Sequence, residues 1–479
     1  MKATITIRDE VNCLITGMLP QHSDALYHKF GIFKDGYFFN PAYKLRRWDG
    51  KVHFVEKTGA SYVRLLDKII PLIVDFGYDI ELDDTRAPLK PPAVPGQILE
   101  IDSSGIAVKA TGLDVFSNKA IQLRPYQLQA VQEVIKAGSG IIIGGTGAGK
   151  SLICAAIAKC YSGDEYRVMT IVPSADLVIQ THEWYQLCGL DVGKYSGDDK
   201  DIYHENVVAT WQAIQNSPGI LADFNVIIWD ETHGAKADVA QKLLNSHAQH
   251  IAFRFGVTGT MPKPESDRMA IFCTLGPILL TISPRWLIDN GFLANPRIQP
   301  VEVNETFVDE EFPNYESEKM FLSKNPARMG RIADQIIDYA TTYGNTLVLV
   351  NSVPFGKKLA KLIDGAVFLS GESKTDLRKE HYDMFDQRND LIVIATSGIA
   401  STGISIDRIF CLILIDAGKS YIRSIQSIGR SLRKGVDKTE VFVADISSKL
   451  KWARKHAKER LKWYKEMGYE VASKKVLTV

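Results

Sequence analysis

Lys150 and Ser151 close the stretch GGTGAGKS, Gly144 to Ser151, which fits the pattern G-x-x-x-x-G-K-[ST]. In such a loop the backbone N–H groups of Gly144, Gly145, Thr146, Gly147, Ala148 and Gly149 close around phosphates. Lys150 neutralises the β and γ oxygens, and the Ser151 hydroxyl can hold Mg²⁺. ATP with Mg²⁺ is therefore the expected ligand. Eighty residues on, VIIWDETH (Val226 to His233) ends an apolar run in two acids. Carboxylates at the end of a buried strand are costly unless they meet a metal or a wet cleft. Asp230 then partners Mg²⁺, and Glu231 orients and activates an attacking water. The competing reading, that both acids cap the following helix, uses the same residues for structure alone. His233 stands three residues beyond Asp230, either reporting the γ-phosphate state or simply packed.

These groups need elements that bring them together. The loop follows the strand-like GIIIG and precedes the helix-like LICAAIAK. From about 121 to 283, β-branched runs alternate with amphipathic stretches, and the rhythm restarts near 330 with TLVLVNS, LIVIATS and IFCLILID. That alternation predicts doubly wound parallel sheets, which place ligands at the carboxyl ends of their strands. The Pro-rich DDTRAPLKPPAVPG, Asp83 to Gly96, reads as a linker. The fold class is therefore α/β, with two tandem parallel-sheet domains preceded by a small α+β domain. The boundaries fall at 1–95, 96–285, 286–450 and a basic C-terminal helix over 451–479. The acidic stretch from Glu302 to Glu318 reads as a solvated excursion.

At 479 residues the chain suits roughly three domains. A net charge of +1 means that any surface for a polyanion must be local. One candidate is NPAYKLRRWDGKVHF, where Arg46, Arg47 and Trp48 put cations beside an aromatic ring, suiting phosphates and bases. The alternative there is a Trp48 and Phe54 core with solvated charges. Six scattered cysteines without a C-x-x-C pair favour reduced thiols, and the start lacks an apolar signal core. The expectation is a cytoplasmic protein with no membrane segment. With no heptad pattern, a monomer is expected.

In order along the chain, LRPYQLQA, GGTGAGKS, VPSADLVIQ, ATWQAI, DETH, TGT, IATSGIASTGISI and QSIGRSLR resemble the motor of the superfamily two helicases in their DExH form. DGYFFNPAYKLRRWDGKVHF is similar to an N-terminal signature of the phage UvsW helicases, which act on branched DNA. The resemblance implies two RecA-like domains. It makes Gln127 the adenine reader, with Arg124 or Tyr126 against the base, and makes Thr258 and Thr260 the couplers of nucleotide state to strand movement. It implies that Pro173, Ser174, Thr210, Trp211 and Gln212 grip the DNA backbone without reading sequence. Ser352, Thr396 and Thr402 are their counterparts in the second domain, with Gly403 near the nucleotide. Ser405 replaces the aspartate common in DEAD-type RNA helicases, which weakens an RNA reading.

In QSIGRSLRKG, Gln426, Arg430 and Arg433 stand at i, i+4 and i+7, one stripe of a helix. Isolated, they would read as surface ion pairs. In this context they reach the γ-phosphate held by Lys150, because the guanidinium fork matches phosphate geometry and stays charged. The expected function is an ATP-dependent DNA helicase or translocase that unwinds or remodels forks and junctions, binding single- and double-stranded DNA. The other readings are a duplex translocase that does not separate strands and an ATP-gated annealing protein.

Overall fold

The computed structural model describes residues 1–86, 114–115, 119–120, 123–145, 147–162, 166–197, 199–232, 237–305, 312–371, 373, 381, 384–385, 387–397, 408–418 and 438–479. By their contacts they form two compact units, Met1–Gly144 with Gly149–Ile282, and Gly145–Ala148 with Ser283–Val479.

The first unit holds two sheets. The strand Lys2–Ile7 alternates exposed and buried side chains, as KATITI requires. It pairs antiparallel with Asn12–Thr16 and parallel with Asp79–Asp84, and Ala60–Tyr62 completes the four-stranded sheet. Helix Leu66–Asp75 buries Leu66, Ile69 and Ile73 against this sheet.

That core is not closed by its own residues. Ala270 and Cys273, on helix Glu265–Leu275 far along the chain, belong to it. Polar contacts cross the same junction. The Glu10 N–H donates to the Gln249 carbonyl at 2.9 Å, Asn12 reaches the Asn245 carbonyl at 3.3 Å, and the Arg64 guanidinium donates to the Ser139 hydroxyl. The small domain expected over 1–95 therefore shares one compact unit with the first large sheet.

The large sheet has eight strands in the order 199–200, 192–196, 206–210, 168–172, 226–230, 253–258, 139–144 and 278–282. Every pairing is parallel except the outermost hairpin. Val168–Val172, Asn206–Thr210, Val226–Asp230 and Phe253–Thr258 are buried at every position, as runs covered by helices on both faces must be. Arg254 breaks the apolar run. It is tolerated because its guanidinium donates to the carbonyls of Leu244, Ala248, Ile251 and Thr274.

The second unit repeats the design. Its strands run in the order 367–369, 392–396, 346–350, 411–415, 440–448 and 295–304, all parallel. Only Lys451–Glu466 of the expected basic helix is helical. After Gly468, with φ of 71°, the chain turns back, and Glu470–Val471 and Lys475–Thr478 add to the sheet edge beside 295–304. The strand-like alternation of KVLT, with Leu477 buried, explains the change. No described helix is long and apolar enough to cross a membrane.

The helix is fixed by a buried ion pair. Arg460, fully buried, donates to both Asp445 carboxylate oxygens at 2.9 and 2.7 Å, and its third donor takes the Ala417 carbonyl. Tyr464 adds an O–H bond to Asp445 at 3.0 Å. Burial alone would lower the Arg460 guanidinium, but the Asp445 charge reverses this and raises it. Asp445→Ala strands that cation in the core, and a loss of about 3–5 kcal/mol is expected in urea unfolding. Asp445→Asn, which keeps an acceptor, should lose less.

Candidate functional site: a nucleotide cleft at the carboxyl edge of the first sheet

Strand Ser139–Gly144 delivers the chain into the phosphate loop, and helix Lys150–Tyr161 leaves it. Gly147 and Gly149 have φ of 87° and 74°, a left-handed backbone that turns successive N–H groups inward. At Gly149 the requirement is doubled, because a Cβ would lie 2.2 Å from the Gln127 Nε2. Gly145 and Ala148, whose carbonyl and N–H bond at 3.0 Å, cluster with the second unit, and Thr146 lies outside the described residues.

The packing of Gln127 against Gly149 ties RPYQ, the motif expected to read adenine, to the phosphate loop. Gln127 is buried, and its Oε1 accepts from the Arg124 N–H at 2.9 Å at the start of helix Pro125–Ala137. Of the two side chains expected against the base, Tyr126 is buried with its hydroxyl bonded to Arg124 at 3.2 Å. Arg124 is exposed, so it is the one able to cover a ring.

Asp230 ends its strand as a buried residue, and its Oδ1 accepts the Glu231 N–H at 2.9 Å. Glu231 has φ of 51°, costly for a residue with a side chain. The strain is held by two contacts. Glu231 Oε1 lies 3.3 Å from Lys150 Nζ, and its Oε2 accepts the Gly259 N–H at 3.3 Å. Burial would push the Lys150 ammonium down, but the charges of Glu231 and Asp230 outweigh it and raise it. Lys150 is thus a firm cation at neutral pH.

The Gly259 contact belongs to TGT, but not to the threonines singled out in sequence. Thr258 is buried, with its hydroxyl donating to the Thr260 carbonyl at 2.9 Å. The couplers shape the turn, and the glycine backbone between them touches the acid. A donor without a side chain gives no signal in the sequence beyond the motif itself.

The expected DNA-gripping hydroxyls share a local role. Ser174, Thr210 and Ser352 are each the N-cap of a helix, accepting the N–H of Leu177, Ala213 and Phe355 at 3.4, 3.3 and 3.4 Å. Each follows or ends a buried parallel strand, so all three stand at carboxyl edges. A capping hydroxyl uses its lone pair and keeps its proton to donate. Pro173 is half-buried beside Ser174, Trp211 is half-buried, and Gln212 is exposed.

The segment 120–263 matches the family model described as type III restriction enzyme, res subunit, and 331–435 matches helicase conserved C-terminal domain. The ATP-dependent DNA helicase uvsW of Enterobacteria phage T4 is 27% identical over 441 residues, covering 87% of this chain and 85% of its own. The chain is a superfamily two helicase. The DNA 3'-5' helicase XPB of Kineococcus radiotolerans is 26% identical over 364 residues, 72% of this chain and 63% of that one. This helicase therefore spans just under two thirds of that bacterial relative. Among solved structures, the ATP-dependent Type ISP restriction-modification enzyme LlaBIII bound to DNA is similar in fold. The TM-score is 0.58 at 14% identity, covering 87% of this chain and 36% of that one.

The second unit of the helicase carries a polar edge of its own. Thr396 ends the strand Ile392–Thr396, and the next residue, Ser397, donates to the Val350 carbonyl and to Asn351 at 3.2 and 2.9 Å. Asn351 in turn donates to the Asp416 carbonyl at 2.9 Å. Asp416, with φ of 46°, accepts from the buried Arg328 at 2.7 Å, and Arg328 also meets buried Glu305 at 2.9 Å. Asn351, Ser397, Asp416 and Arg328 escaped the sequence reading, since single polar residues between apolar runs look like ordinary turns. His233, Thr402, Gly403, Gln426, Arg430 and Arg433 lie outside the described residues.

Gly149→Ala tests the loop geometry. The left-handed backbone costs a side chain about 1–2 kcal/mol, so ATP affinity should fall roughly tenfold or more in a fluorescent-nucleotide titration. Gln127→Ala alone removes the side chain expected at the adenine and gives the baseline against which the double variant shows how much of the loss comes from the collision.

Proposed function

We propose that this ATP-dependent DNA helicase unwinds or remodels branched DNA, forks and junctions, without reading base sequence. The observation that carries the enzymatic half is the convergence of Lys150, Asp230, Glu231 and the Gly259 N–H at one sheet edge. The branched substrate is supported by the similarity to the phage T4 enzyme over 87% of the chain.

In this reading Lys150 and the loop N–H groups bind the phosphates, with Asp230 and Ser151 holding the Mg²⁺ that accompanies ATP. The residues fit that ion. The buried Asp230 carboxylate, whose charge acts on Lys150, and the half-buried Ser151 hydroxyl next in the chain to Lys150 are the few hard oxygens Mg²⁺ takes beside phosphates. Bound there, the ion neutralises charge on the phosphates. Glu231, freed from Lys150 when phosphate takes the ammonium, orients the attacking water. Because Gly259 also holds Glu231, a shift of the Thr258–Thr260 turn moves the acid, which links strand position to hydrolysis. Ser174, Thr210, Ser352, Thr396 and Thr402 donate to DNA phosphates, and Arg46 and Arg47 extend the contact to the small N-terminal domain. Gln426, Arg430 and Arg433 complete the γ-phosphate site, His233 senses its state, and Gly403 lies near the nucleotide. The protein works as a monomer in the cytoplasm.

ATP turnover should be stimulated by forked and four-way DNA more than by RNA, and abolished by Lys150→Ala and Glu231→Gln. Unstimulated turnover would sink the motor reading. Arg430→Ala or Arg433→Ala should cut kcat by about 10³ while nucleotide binding persists. Strand-displacement and annealing assays on the same substrates separate unwinding from translocation or annealing.

A further inference from the structure

Trp48, the aromatic most prominent in the sequence of the N-terminal patch, is committed to structure. It is only partly exposed, and its indole N–H donates to the Lys51 carbonyl at 2.8 Å. The exposed rings are earlier in the chain. Phe33, Phe38 and Phe39 are 50%, 52% and 72% exposed. They form one connected surface through Tyr37, whose ring centroid is 4.6 Å from Phe33 and 5.7 Å from Phe38, while Phe38 and Phe39 are 4.2 Å apart.

This exposure is built, not the by-product of a loose loop. Asn40 caps the short helix Pro41–Lys44 through the Ala42 N–H at 2.9 Å, and Tyr43 packs edge-on against Tyr37 at 4.8 Å. The Lys34 N–H donates to the Gly50 carbonyl at 2.9 Å and closes the loop. A soluble protein that fixes three phenylalanines in water keeps them for a ligand.

Charge names the ligand. From Phe33 to Lys51 there are five cations, Lys34, Lys44, Arg46, Arg47 and Lys51, and two acids, Asp35 and Asp49, a balance of 5 − 2 = +3 in a chain whose total is +1. Asp49 is turned to His53 at 2.7 Å, and neither Arg46 nor Arg47 has an acidic partner among the described residues. A protein partner with an apolar face has no need of this field. A single DNA strand presents both phosphates and open base faces, whereas a duplex keeps its bases stacked inside.

We propose that Phe38 and Phe39 stack on unpaired bases of a DNA strand whose phosphates lie along Arg46 and Arg47. The N-terminal surface thereby distinguishes the single-stranded arm of a branch from blunt duplex. This deepens the branched-DNA reading above and rests on it.

The test uses the full chain with both phenylalanines replaced by alanine, and fluorescence anisotropy on a single strand, a fork with single-stranded arms, the same fork with abasic arms, and blunt duplex. The variant should lose about tenfold in affinity per ring removed on the single strand and the fork, and less than about twofold on duplex. The unaltered protein should lose as much when the arms are abasic. Arg46→Ala with Arg47→Ala should instead weaken all substrates and flatten the salt dependence. In a separate Phe38→Trp protein, the new fluorescence should be quenched by a single strand and not by duplex. Equal affinity of the alanine variant and the parent on every substrate overturns the proposal, as does an equal loss on duplex. A change confined to sedimentation, with DNA binding intact, would make the rings a contact between copies of the chain and also overturn it. If the parent protein shows no DNA-stimulated turnover, the helicase reading has failed. If it does and only the phenylalanine comparison is flat, this inference alone has failed.

Discussion

A parallel sheet covered on both faces leaves no place for charge except the ends of its strands. Inside the layer, backbone N–H and C=O groups satisfy each other, and an ion loses its hydration with nothing in return. Both large sheets here obey that constraint, and the positions of nearly all the chemistry follow from it. Asp230, Thr210, Thr258 and the entry to the phosphate loop are strand ends of one sheet, and Thr396 is a strand end of the other. Arg254 in the first sheet and Asp445 in the second mark the limit of the rule, and Asp445 lies within its strand because the buried Arg460 donates to both its carboxylate oxygens. Arg254 enters the layer only because the carbonyls of Leu244, Ala248, Ile251 and Thr274, in the last turns of two helices and the loop after the first, surround its guanidinium.

Two acidic residues carry the strain that these edges permit. Glu231 and Asp416 both adopt left-handed backbone just past a buried strand, where glycine would be easier. Each is held by a cation and by a neighbouring backbone or amide group: Lys150 and the Gly259 N–H for the first, Arg328 and Asn351 for the second. Strain of this kind persists only when the surroundings over-determine it. In the first unit it holds a carboxylate against Lys150 and the Gly259 N–H. In the second it fixes the turn at 416–417, which Arg460 of the C-terminal helix also holds through the Ala417 carbonyl. The tail is thus a brace for that edge, and its basic residues cover one side of a helix whose other side is core.

The N-terminal sheet is welded to the first motor sheet by shared core and by backbone bonds. Phe38, Phe39, Arg46 and Arg47 thus belong to the same compact unit as Lys150, Asp230 and Glu231.

The sequence by itself determined the element types, the parallel sheets and the nucleotide chemistry. Runs such as VMTIV and VIIWD can only be strands buried on both sides, and a phosphate loop is a local backbone device whose residues are contiguous. It marked Ser174, Thr210 and Ser352 through the resemblance alone, as contacts to a DNA backbone, and the fold adds that each caps a helix. Tertiary structure decided everything that depends on residues distant in the chain. That the small sheet completes its core with Ala270 and Cys273, that 470–478 rejoin the sheet as strands, and that a glycine N–H holds Glu231 are long-range facts without local signature. The reversal at the N-terminal patch has the same cause. Trp48 and Phe38 look alike in a string of letters, and only the fold, by supplying a carbonyl for one and water for the other, determines which ring is left free to meet a base.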